Sequence, residues 1–220
     1  GQARSGHAPI PVVARGGVLP LSFAQQRLWF IDRLEGGSAQ YNMPVALRLE
    51  GALDEAALSG ALAGLVARHE ILRTTYAEHE GEGVQVVHPP GPVALARHDL
   101  SDRPGPAREA AVRELAREEA GRPFDLARDR VLRGALVRLD ADTHVLLLTV
   151  HHIASDGWSF GVLVREFTAL YAGLAGGVAA PLAPLPVQYA DYAAWQRERL
   201  QGEGLARELG YWRTQLADLP

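Results

Sequence analysis

The stretch from Thr143 to His151, reading THVLLLTVH, is the strongest constraint on the fold. Successive side chains of a strand point to opposite faces, so Val145, Leu146, Leu147, Leu148 and Val150 place apolar groups on both. Such a strand has to be covered on both sides, which puts it at the centre of a sheet with helices around it. Leu132 to Leu139 reads as its neighbour, joined through the Asp140-Ala141-Asp142 turn. Met43 to Leu49 is a further strand, and Ile71 to Ala77 with Val84 to His88 reads as a hairpin around Glu80-Gly81-Glu82-Gly83.

Helical signals alternate with these strands. Ser22 and Gln25 form a capping box that opens a helix running to about Leu34, and Gly36-Gly37 close it. Asp54 caps a second helix with Leu58, Leu62, Leu65 and Val66 on one face, and Leu53 with Leu58 is spaced as a hydrophobic staple. Pro104 and Pro106 introduce an Arg/Glu-rich helix over about 107–119, closed by Gly121. Phe160, Leu163, Phe167, Leu170 and Leu174 recur at helical spacing after Gly157. Gly173 to Pro186 reads as a surface crossing, and helices over about 188–200 and 204–217 complete the pattern. The fold class is therefore α/β, a mixed β-sheet sandwiched by helices.

With 220 residues, 47% hydrophobic and 22% charged, the chain is sized for one domain or one large lobe. Residues 1–18 mix Gly, Pro, Ala and Arg without periodicity and read as a linker, so folded structure is expected over 19–220. No apolar run approaches the roughly 20 residues of a membrane span, and no secretory signal is present, so a cytoplasmic chain with no membrane contact is expected. The absence of cysteine excludes disulfides and thiolate chemistry. A net charge of −4 with interspersed signs lacks the clustered basic face of a nucleic-acid binder. Neither a dinucleotide fingerprint nor a phosphate-binding loop occurs.

The segment directly after the central strand carries the chemistry: HHIASDGWSF, residues 151 to 160. While the strand persists, His151 and His152 point to opposite faces and do not share one small ligand, which disfavours metal binding. His152 then stands at the carboxyl end of a central strand, where open α/β folds place ligands. Imidazole changes charge near neutral pH and can take a proton or hydrogen bond from an attacking nucleophile. Asp156 is expected to orient the turn by pairing with a buried arginine, and Gly157 to let the backbone bend before the helix. The alternative is a pair of core histidines satisfied by backbone groups.

Several phrases together resemble nonribosomal peptide synthetase condensation domains, which share a chloramphenicol-acetyltransferase-like fold. They are His151-His152 with Asp156-Gly157, then Ser22-Phe23-Ala24-Gln25-Gln26-Arg27-Leu28-Trp29-Phe30, Arg68-His69-Glu70-Ile71-Leu72-Arg73-Thr74, and Tyr189-Ala190-Asp191-Tyr192-Ala193-Ala194-Trp195. Pro123-Phe124-Asp125-Leu126 and Tyr41-Asn42-Met43-Pro44 add to them. The residues themselves read more simply: Trp29 and Phe30 as core, and Tyr189 to Trp195 as packing.

The resemblance implies an acyltransferase that forms an amide bond between two acyl groups carried as thioesters, the amine of one attacking the other. It implies a catalytic segment of His151, His152, Asp156 and Gly157, with His152 beside the amine and the Gly157 N–H near the oxyanion. It makes Arg68 or Arg73 the partner of Asp156, and Trp158 and Ser159 candidates for the substrate tunnel. No cofactor or metal is bound directly; 4'-phosphopantetheine arrives on upstream and downstream carrier (thiolation) domains, and an adenylation domain is a neighbour. Family members carry a second, C-terminal lobe absent here, so residues 19–220 are expected to be the histidine-bearing N-terminal lobe, inactive alone. A noncatalytic carrier-docking or recruitment domain and an epimerising relative are the alternatives. A stand-alone acyltransferase using an alcohol is disfavoured by the additional motifs.

Overall fold

The computed structural model describes residues 9–178 and 182–217. Two sheets form its frame. The larger has strand order β2 (Asn42–Glu50), β7 (Thr143–His151), β6 (Leu132–Arg138), β5 (Leu95–Asp99). Its β2/β7 and β7/β6 pairs are antiparallel and its β6/β5 pair parallel, so the sheet is mixed, as expected. The smaller sheet is antiparallel, in the order β1 (Leu19–Pro20), β4 (Glu82–Val87), β3 (Thr74–His79).

β7 occupies the interior position that its two-faced apolarity demands. Leu146 and Val150 face α2 (Glu55–Arg68) and α4 (Gly157–Ala175), meeting Leu58, Leu62, Leu65, Phe160 and Phe167. Val145 and Leu147 face α3 (Gly105–Gly121) and pack on Val112 and Leu115. A third cluster, Leu21, Leu28, Tyr76, Phe124, Leu126 and Ile153, joins α1 (Phe23–Glu35) to the smaller sheet and to the segment just beyond β7. The chain ends in α5 (Tyr189–Arg199) and α6 (Gly202–Gln215).

The capping box at Ser22/Gln25 and the Asp54 cap form as expected, and Leu53 and Leu58 meet in one apolar cluster. Three features differ from expectation. β5 has no clean alternation, because it is an edge strand whose side chains are largely half or fully exposed. Ile71 does not begin a strand: Glu70–Arg73 is a turn of 3-10 helix, fixed by Leu72 N–H donating to the His69 carbonyl (3.1 Å) and by the Thr74 hydroxyl donating to that of Glu70 (2.8 Å). α4 continues to Ala175, into the expected surface crossing, of which residues 179–181 lie outside the described residues.

The expected linker is also docked at its end. Val13 N–H donates to Asp191 (2.9 Å), and Arg15 reaches Asp191 at 2.7 and 3.0 Å and Glu70 at 2.7 Å. The aspartate of the YADYAAW phrase, 1% exposed, is the anchor for that segment. Burial alone would raise its carboxyl pKa, but the bonds from Arg15, Val13 and Gln188 outweigh it and hold the group below the ordinary range.

Candidate functional site

The two histidines lie in opposite environments. His151, 1% exposed, meets Phe124 edge to face with ring centroids 5.9 Å apart, and its Nδ1 accepts the Ile153 N–H at 3.1 Å. That bond requires a lone pair on Nδ1, so the proton resides on Nε2. Burial, with smaller contributions from His152 and Arg133, pushes its pKa down to about 4, so the ring is neutral at physiological pH.

His152 comes directly after the end of β7 and is exposed. Its backbone N–H is held by the Tyr41 carbonyl (2.8 Å), tying it to the start of β2. Its Nδ1 lies 2.7 Å from the Ser155 carbonyl. A carbonyl only accepts, so Nδ1 carries the proton and Nε2 is the free nitrogen.

That ring lines a cleft of about 490 Å³ enclosed by α1, the 3-10 turn, α4, α5 and the segment leading into α5. Asp156, Trp158 and Ser159 line the same cleft, Trp158 at 86% exposure. The structure thus brings together His152 with three of its expected neighbours. Phe30 is 61% exposed, which removes it from the core, whereas Trp29 packs partly against the α1 cluster. Ala190, Asp191 and Ala193 are buried packing residues, yet Tyr189 and Tyr192 of the same phrase face the cleft.

Asp156 does not behave as the sequence led us to expect. It is exposed and caps α4: one carboxylate oxygen accepts both the Ser159 N–H (2.7 Å) and the Ser159 hydroxyl (2.6 Å). Those two bonds, hydroxyl first, lower its pKa. Neither candidate arginine reaches it. Arg68 is paired with Glu166 of α4 at 2.9 Å, while Arg73 donates to the carbonyls of Val66 (3.2 Å) and His88 and lies 3.7 Å from Glu70. Both are consumed stapling α2 and the 3-10 turn to their surroundings. Gly157 is not in the left-handed region, and a Cβ there would meet open space, so no bend or close packing explains it. As the first residue of α4, it does offer an N–H at a helix N-terminus.

Cleft residues that periodicity does not reveal include Arg27, His69, Ile71 and Gln188. Ile71 faces the cleft because the 3-10 turn replaces the strand that its β-branched side chain suggests. Among the described residues no group of three or more His, Cys, Asp or Glu is placed to hold a metal ion, and no helix is long and apolar enough to cross a membrane.

The family model described as Condensation domain matches residues 16–220. The chain is 49% identical to a linear gramicidin synthase of Brevibacillus parabrevis over 98% of its length and 4% of that protein's. It is 45% identical to chondramide synthase cmdD of Chondromyces crocatus, covering 100% of this chain and 6% of that one. Among solved structures, the X-domain from teicoplanin biosynthesis superposes with a TM-score of 0.83 at 36% identity, over 97% of this chain and 46% of that one. The first condensation domain of the CDA synthetase superposes with a TM-score of 0.77 at 28% identity, over 93% and 51% respectively. The chain therefore spans a few per cent of those curated relatives and about half of those solved chains.

Proposed function

Because the chain belongs to the condensation-domain family of nonribosomal peptide synthetases, we propose that its cleft joins two carrier-bound acyl groups through an amide bond. One observation carries this reading: His152 is pinned through Nδ1 to the Ser155 carbonyl, which leaves Nε2 free in a cleft large enough for an acyl chain. The α-amine of an acceptor thioester attacks the donor's thioester carbon. A C–N bond forms, the C–S bond breaks, and the proton lost by nitrogen is matched by the one gained by the departing thiolate.

An α-amine of pKa about 8 is already partly unprotonated, and thioesters are reactive, so orientation supplies much of the rate. Nε2 accepting an amine N–H holds the nucleophile and receives its proton as the bond forms. The Gly157 N–H is offered to the developing oxyanion. Substrates arrive on the phosphopantetheine arms of upstream and downstream carrier domains, and neither a bound cofactor nor a metal is called for. An adenylation domain as neighbour and a second, C-terminal lobe that completes the tunnel belong to the same proposal. So does a role for Trp158 at the tunnel wall, which its exposure supports.

The test is carried out in the full synthetase with donor- and acceptor-loaded carriers. His152→Ala is expected to slow amide formation by about a hundredfold or more. Undiminished product would remove His152 from the chemistry. A second reading, as a recruitment domain, is favoured by one comparison: the X-domain in the complex of the X-domain and OxyB from teicoplanin biosynthesis is 37% identical over 98% of this chain. Under that reading His152→Ala leaves partner binding intact and there is no condensation to lose.

A further inference from the structure

We propose that His69 is a second imidazole of this cleft that positions substrate, its Nδ1 accepting a hydrogen bond from an N–H of the carrier-tethered acceptor. This rests on the reading above that such thioesters enter the cleft. His69 lines the same cleft as His152. Its Nε2 lies 2.6 Å from Glu166 Oε2, which also receives Arg68 Nε at 2.9 Å. Glu166 is 7% exposed. Burial alone would raise its pKa, but the bonds from His69 and Arg68 outweigh this and keep it a carboxylate.

A carboxylate only accepts, so the proton between it and His69 belongs to Nε2. Nδ1 is left as the acceptor of the neutral ring, and among the described residues it has no protein partner. The arrangement is the converse of His152, which spends Nδ1 on a carbonyl and leaves Nε2.

The ring is held by its Nε2 bond to Glu166, and the backbone that carries it is fixed as well. The His69 N–H donates to the Leu65 carbonyl (2.9 Å), closing α2. On either side of it, Gln188 donates to the Arg68 carbonyl (2.9 Å) and accepts the Glu70 N–H (3.0 Å). Such over-determination is what a recognition group needs, because an unheld side chain would lose rotamer entropy on every binding event. Two N–H donors of the substrate fit an acceptor at this position: the acceptor amine, and the amide of the pantetheine arm.

The deciding experiment exploits the two nitrogens separately. The side-chain NH₂ of Gln reproduces the Nε2 donor to Glu166 but offers nothing at Nδ1, whereas the amide oxygen of Asn reproduces the Nδ1 acceptor and abandons Glu166. The variants are made in the full synthetase with no donor-loaded carrier present, so that the probe, an alanyl thioester of N-acetylcysteamine, is bound and not consumed. Binding is read by calorimetry and folding by Tm. His69→Gln is expected to keep Tm and weaken binding about tenfold. His69→Asn is expected to lower Tm and bind within about twofold of the parent.

Unchanged affinity in His69→Gln, equal weakening by both variants, or no probe binding to the parent overturns the proposal. Alanyl ethyl thioester, which lacks the arm's amide, identifies the donor: a tenfold loss with both probes assigns it to the amine, and a loss with the first alone assigns it to the arm. The condensation reading is judged by turnover and this one by affinity, so either can fail without the other.

Discussion

His151 and His152 show how one peptide step divides two identical side chains between packing and chemistry. His151 is neutral in the fold because burial denies it a proton, and the unfolded chain suffers no such penalty. The sign of the pH effect is fixed by that difference. Unfolded His151 takes up a proton near pH 6.5, folded His151 only near 4, so the unfolded state binds more protons between those values and stability falls as pH falls. Its contribution is full above about pH 6.5, lost across the window and level below about 4. Denaturant unfolding at pH 7 and pH 5 is expected to differ by about 2 kcal/mol from this group alone, and His151→Gln to remove that part. The carboxylates of Asp156, Glu166 and Asp191, whose hydrogen bonds lower their pKa values, lose their contribution to stability on acidification in the same direction, and the comparison with His151→Gln separates the imidazole from them. A slope unaltered by the substitution would mean that His151 is not the buried titrating group.

At the scale of elements, α4 is where sequence and structure part most instructively. Its apolar stripe was legible, because helical spacing is a local signal, whereas Asp156 was expected to pair with an arginine and instead caps the helix. The partner of Asp156 was not legible. Arg68 and Arg73 lie in one short phrase, and spacing does not reveal that Glu166, far along the chain on the other helix, claims the first of them. The 3-10 turn at Glu70–Arg73 was missed because the short bonds that fix it, with Gln188 receiving the Glu70 N–H, leave no periodic pattern, and the edge strand β5 because its pairing with β6 is long-range. The consequence for Asp156 is a small stability effect. An exposed N-cap exchanged for Asn retains its acceptor, so Asp156→Asn is expected to change stability by only a few tenths of a kcal/mol, and Asp156→Ala to cost about 1 kcal/mol. A loss of several kcal/mol in Asp156→Asn, read from urea unfolding, would point instead to a buried ion pair.

For the molecule as a whole, stability is distributed unevenly, and the site sits on the firm part. β7 is bonded on both sides and buried on both faces, and the segment carrying His152 continues directly from it, held by the carbonyls of Val131 and Tyr41. α6 is the opposite case. None of its residues is buried, and Leu205, Leu209, Tyr211 and Trp212 all retain two fifths or more of their exposure against α5. Apolar burial at about 25 cal/mol per Å² is what holds a helix of this length, since short helices are marginal in water by themselves. Native-state hydrogen exchange of this chain is therefore expected to separate the two: β7 amides exchanging only by global unfolding, and α6 amides opening locally at much lower free energy. Local opening of α6 would leave the cleft's far wall intact, because His152, His69 and Glu166 are anchored to β7, α2 and α4. Equal protection in α6 and β7 would show that the helix is locked to the core by contacts other than those its exposure reveals.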